Sequence, residues 1–200
     1  MNRNLLAPRP ALLNPLPPLV ALATLFAFNA CAQVFQLVVD DSNPSAVTIT
    51  ATGAFSAVDA GNGSAQGVVL DSFFGSPQIA VALPVNGTSL KVPGSSLLDS
   101  VNPTDLGGGQ IDLELYRSGV SPLGQTFSTT SPAFQGSLLV DMSASASALP
   151  GVGATGSIVA FNFGSNPVVG QWIVVPEPGS YAVVAGIGLV GFAIWRRRNG

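Results

Sequence analysis

Between residues 35 and 175 the apolar positions come in short runs divided by turn-forming residues. Within some runs polar residues occupy every second place. The clearest case is QIDLELY (residues 110–116), where Ile111, Leu113 and Leu115 alternate with Asp112, Glu114 and Tyr116. A period of two puts the aliphatic side chains on one face of a β-strand and the polar ones on the other, giving one packed face and one wet face. FQLVV, AVTITATGAF, GVVLDSFF, QIAVAL, SLKV, SLLVDM, SIVAFNF and QWIVV read as further strands. Between them DAGNG (59–63), PVNGT (84–88), NPTDLGGG (102–109) and LPGVGATG (149–156) supply Gly, Asn and Asp, residues that tolerate the positive φ of tight turns. Many short strands punctuated in this way predict an all-β, β-sandwich-like domain over residues 33–174.

The pattern changes at both ends. LVALATLFAF (19–28) is continuously apolar, follows Arg3 and Arg9, and leads into ACA before Gln33. A positive region, an apolar region and small residues before a cut are the three parts of a signal peptide. Residues 1–32 are therefore expected to be removed between Ala32 and Gln33, with Ala30 and Ala32 in the small-residue positions. The apolar stretch is too short to span a hydrocarbon core of about 30 Å. Cys31 raises the alternative of a lipid attachment site, but Phe28, Asn29 and Ala30 before it make a poor lipobox. At the other end, residues 181–195 are apolar and uncharged, and Arg196, Arg197 and Arg198 follow. Basic residues beside a span stay on the cytoplasmic side, so these three arginines read as a cytoplasmic stop with the body outside. Fifteen residues at about 1.5 Å each make a single transmembrane helix of about 22 Å, short for a bilayer but extended by snorkelling arginines.

VPEPG (175–179), the apolar run and the three arginines follow one another in that order up to the chain end. Together, over residues 175–200, they resemble the PEP-CTERM sorting signal. The resemblance implies recognition by an exosortase, a membrane-embedded cysteine peptidase or transpeptidase, with Pro176, Glu177 and Pro178 as the recognition residues. It further implies export through the Sec translocon, an inner-membrane-anchored precursor, and processing near the motif that delivers the body to the cell surface or beyond. An exopolysaccharide is a further expected partner there. Each proline fixes its own φ and biases the residue before it towards extended backbone, so Glu177 is presented on an extended strip.

Composition narrows the functional classes. Only 8% of residues are charged, against a usual share of about 25%. Between residues 33 and 175 nine acids face two bases, Lys91 and Arg117, a balance of −7. Such a surface repels phosphate backbones, so nucleic acid is not an expected partner. Histidine is absent and Cys31 lies in the signal peptide, which leaves the mature chain without a disulfide, a thiolate nucleophile or a His or Cys metal ligand. Many serines beside the single Lys91 are what composition alone provides, not a nucleophile and base. GIGLVG (186–191) has the glycine spacing of a dinucleotide loop, yet no βαβ unit can follow it within the remaining residues.

Two constellations stay open. Asp112 and Glu114 lie on one strand face about 6.6 Å apart along the strand, a spacing at which paired carboxylates can hydrolyse a glycosidic bond. Asp59 with Asn62, or Asp99 with Asn102 and Asp105, offers oxygen ligands of the kind Ca²⁺ prefers, without a full Ca²⁺-loop pattern. Turn chemistry accounts for the same residues, so no cofactor is expected beyond this Ca²⁺ alternative. NGS (62–64) and NGT (86–88) are glycosylation sequons only in a host that modifies exported Asn. The leading expectation is a non-enzymatic surface or matrix component. A carbohydrate-binding or adhesive module is the alternative, and a glycoside hydrolase using Asp112 and Glu114 the third.

Overall fold

The computed structural model describes residues 33–63, 67–75, 83–92, 94, 97–105, 111–119, 125–160, 166–176, 189 and 195–197. The chain divides into two units, residues 1–33 and 34–200, and of the first only Gln33 is described.

Strands dominate the second unit. In chain order they are β1 (Leu37–Asp40), β2 (Val47–Ala51), β3 (Ala60–Gly63), β4 (Gly67–Phe74), β5 (Val85–Thr88), β6 (Ser100–Thr104), β7 (Ile111–Tyr116), β8 (Gln125–Phe127), β9 (Ser137–Val140), β10 (Thr155–Ala160) and β11 (Val168–Val174). Nine of them form one sheet in the order β5-β9-β2-β1-β11-β10-β4-β7-β6, and β3 pairs with β8 in a two-stranded ribbon. The all-β expectation is met.

Register follows from the alternation. Pairing Leu37 with Trp172 and Val39 with Val174 places four buried side chains on the same face. Ile49 opposite Leu138, Ile158 opposite Leu70, and Leu70 opposite Leu113 continue that face around the sheet. A slip of one residue would expose every one of them, which is why the register is firmly set. Trp172 is 1% exposed and packs at 5.2 Å against Phe73, which meets Phe74 edge-on at 4.9 Å. These rings fill the centre where β4, β10 and β11 converge. Gly156 makes that possible, because a Cβ there would sit 2.5 Å from the Asp71 carbonyl oxygen and 2.6 Å from Trp172 Nε1.

The two-sheet sandwich expectation is corrected. β5 and β6 are the sheet's two edges yet neighbours in sequence, and the sheet curls until they meet. Lys91 bridges Leu97, the Leu98 N–H donates to the Leu90 carbonyl at 2.8 Å, and Thr88 Oγ1 donates to the Leu98 carbonyl at 2.8 Å. One nearly closed sheet therefore wraps the core. Near closure leaves the two edges facing each other, which limits pairing with other chains.

Three segments read as turns are strands instead. PVNGT supplies β5, the start of NPTDLGGG supplies β6, and DAGNG ends in β3. Their neighbours β9, β7 and β8 offer ladder partners, and tertiary pairing overrides the local turn preference. Of QIAVAL only Leu83 lies within the described residues, and SLKV contributes a bridge at Lys91 but no strand.

Candidate functional site

The C-terminal strand leads straight into the sorting sequence. β11 lies between β10 and β1, and its pairing with β1 is parallel whereas its pairing with β10 is antiparallel. The Val174 N–H donates to the Ala154 carbonyl, the Gly153 N–H donates to the Val174 carbonyl, and the Val175 N–H donates to the Val39 carbonyl, each at 2.9 Å. Pro176 is the next residue, half-buried, so the ladder ends where the Pro-Glu-Pro begins and no linker separates them. Glu177, Pro178 and Arg198 lie outside the described residues, as do Ala30 and Ala32; Gln33 is exposed. Within the expected anchor, Leu189 is helical and 70% exposed, and residues 195–197 are helical with Trp195 45% exposed and Arg196 and Arg197 exposed. No helix among the described residues is long and apolar enough to cross a membrane.

Asp112 and Glu114 do share a face of β7, opposite Thr104 and Asn102 of β6. That face is not uniformly wet, which corrects the simple alternation. Asp112 is only 3% exposed, and its Oδ1 accepts the Ser72 N–H at 2.7 Å. Ser72 has φ +57°, the only positive value among described non-glycine residues, and lies where the β4–β7 register shifts between Leu70 and Phe74. A non-glycine residue in that region is strained by about 1–3 kcal/mol, and the Asp112 carboxylate holds it there. Glu114 is half-buried, and burial pushes its carboxyl above the ordinary value. The structure thus brings the pair together but engages one member in holding a bulge.

The two oxygen-rich turns are also engaged locally. Asp59 Oδ1 accepts the Thr129 N–H at 2.7 Å and the Thr129 hydroxyl at 3.1 Å, contacts that hold its carboxyl below the usual range. Asp99 Oδ1 accepts the Ser118 N–H at 2.7 Å and the Ser100 hydroxyl at 3.2 Å, and the Ser118 N–H chiefly lowers it. Asn102 Nδ2 donates to the Tyr116 hydroxyl at 2.8 Å. Among the described residues no three His, Cys, Asp or Glu gather as they would around a metal ion.

A recess missed by the sequence reading opens along the seam between β5 and β6. Its volume is about 380 Å³. Its lining combines the apolar Leu83, Pro84, Val85 and Val101 with the polar Asp99, Ser100, Asn102 and Tyr116. Neither Asp112 nor Glu114 lines it. The sequence put Asp99 and Asn102 together as oxygen ligands; Leu83, Val85 and Tyr116 join them only through the curl of the sheet.

Residues 174–198 match the family described as the PEP-CTERM protein-sorting motif. The motif implies an exported, exosortase-targeted chain whose precursor is anchored in a membrane. No curated protein and no solved structure matches the chain.

Proposed function

We propose that this chain is a non-catalytic component of the cell surface or extracellular matrix, delivered there by cleavage of its C-terminal anchor. The observation that carries the reading is the sorting motif over residues 174–198, joined without a linker to the last strand of a compact β domain. A signal peptide over residues 1–32 starts export through the Sec translocon. The helix over residues 181–195, stopped by Arg196, Arg197 and Arg198, holds the precursor with its body outside. Exosortase then recognises Pro176, Glu177 and Pro178.

The absence of histidine and the engagement of Asp112 with Ser72 support a binding or structural role over hydrolysis. Acid–base catalysis at a glycosidic bond needs two carboxylates free to face the substrate. Replacing Glu177 with Ala tests the sorting half of the reading. It removes the recognition charge and leaves the apolar anchor intact, so export continues while the precursor stays in the membrane fraction. Release of the variant at the wild-type rate would overturn the assignment.

A further inference from the structure

The seam between β5 and β6 pairs at one end and then stops, and the reason lies in the two strands. Lys91 opposite Leu97 sets a register that would bring Val85 opposite Pro103. Pro103 has no N–H to donate, and β5 carries a bulge between Val85 and Gly87 where it pairs with β9. Both features blunt a strand edge. They keep the seam from zipping shut, and by the same logic they disfavour an added peptide strand. What the recess admits must bind without a backbone ladder.

Its lining mixes two chemistries. Half-buried Val85 supplies the accessible apolar surface, backed by Leu83 and Val101, which are buried in the core. The Asn102–Tyr116 hydrogen bond fixes both of those side chains, which leaves the phenolic O–H as a donor and the amide oxygen as an acceptor. Asp99 adds a carboxylate, and among the described residues no Lys or Arg lines the recess. An anionic ligand would meet that carboxylate with no counter-charge. A ring with one apolar face and an edge of hydroxyls fits this lining: hydroxyls donate to Asp99 and Asn102 and accept from Tyr116, while the C–H face lies on Val85. From this geometry we propose that the β5–β6 seam binds a neutral saccharide unit. The recess volume of about 380 Å³ lies at the low end of ligand pockets, roughly 300–1,000 Å³, enough for about one or two sugar rings.

This inference stands apart from the sorting route and fails or survives independently of it. The test is saturation-transfer NMR on the full chain in a glycoside-free detergent, with maltotriose and cellotriose as neutral probes and trigalacturonate as the anionic one. At least one neutral trisaccharide binds saturably and more tightly than trigalacturonate. Asn102→Ala weakens it by about tenfold, the ratio expected from losing one or two hydrogen bonds. Tyr116→Phe, which keeps the ring and the packing, weakens it by a smaller factor. Val152→Ala, on an exposed turn, leaves it unchanged. No saturable binding of either neutral probe, tighter binding of trigalacturonate, or affinity indifferent to both Asn102→Ala and Tyr116→Phe overturns the proposal.

Discussion

If the sorting enzyme acts on the folded chain, the sheet itself sets the upstream limit of the cut. A peptidase needs extended substrate on both sides of the scissile bond, and the residues before Pro176 are already extended but paired. Freeing Val174 and Val175 breaks three hydrogen bonds, Val174 to Ala154, Gly153 to Val174 and Val175 to Val39. At about 0.5–1.5 kcal/mol net each, these are worth roughly 1.5–4.5 kcal/mol. Val174 is 1% exposed, and uncovering it adds about 1.5–3 kcal/mol. The frayed state therefore lies about 3–7.5 kcal/mol above the paired one, a population lower by roughly two to five and a half orders of magnitude. When opening and closing are fast relative to cleavage, upstream cutting scales with that population. The mature C-terminus is accordingly Val175 or a residue beyond it, never one within β11. Intact-mass measurement of the released protein, with sequencing of its C-terminal peptide, reads the position directly. A dominant terminus at or before Val174 would overturn this, because it would mean the cut precedes folding or the strand end is not held.

Three further substitutions probe the fold around the site. Asp112→Ala removes the charged acceptor of the Ser72 N–H, a part-buried bond, and should cost about 1–3 kcal/mol in chemical denaturation; an unchanged midpoint would show that the carboxylate does not hold the bulge. Gly156→Ala drives a methyl group against Trp172 and the Asp71 carbonyl, and should destabilise by about 1–3 kcal/mol or more, with a matching drop in melting temperature; a neutral result would mean that the strands around Trp172 yield. Glu114 has its folded-state pKa raised by burial, so below 4.5, its ordinary value, it is protonated in both states and costs nothing. As pH rises through the raised value the folded state loses stability, so Glu114→Gln should be more stable than the parent at pH 7 and equal to it in acid; a pH-independent difference would contradict the assignment.

The sequence made the domain class legible where pattern and packing agree. In QIDLELY the alternation placed Leu113 and Leu115 in the core, and both are fully buried. It misplaced Asp112, because the Ser72 N–H that draws the carboxylate inwards comes from a bulge 40 residues away. Local turn chemistry likewise hid β5 and β6, whose strand character comes from β9 and β7 beside them. The curl that turns one sheet into a nearly closed wall, and the recess at its seam, depend on where the Lys91–Leu97 bridge stops. That is a property of long-range register and of Pro103, and no window of sequence contains it. The sorting tail was legible for the opposite reason: its Pro-Glu-Pro, apolar run and arginines follow one another along the chain, so the signal needs no fold to be read.

Release of this protein from its membrane anchor by an exosortase is decided by comparing two hosts. The full-length gene product is expressed in an exosortase-positive host and in the same host lacking the enzyme, and its intact mass is measured in the membrane and released fractions. With the enzyme present, a released species lighter by the anchor segment is expected. Without it, the protein stays in the membrane at the higher mass. Identical mass and location in both hosts would contradict the account.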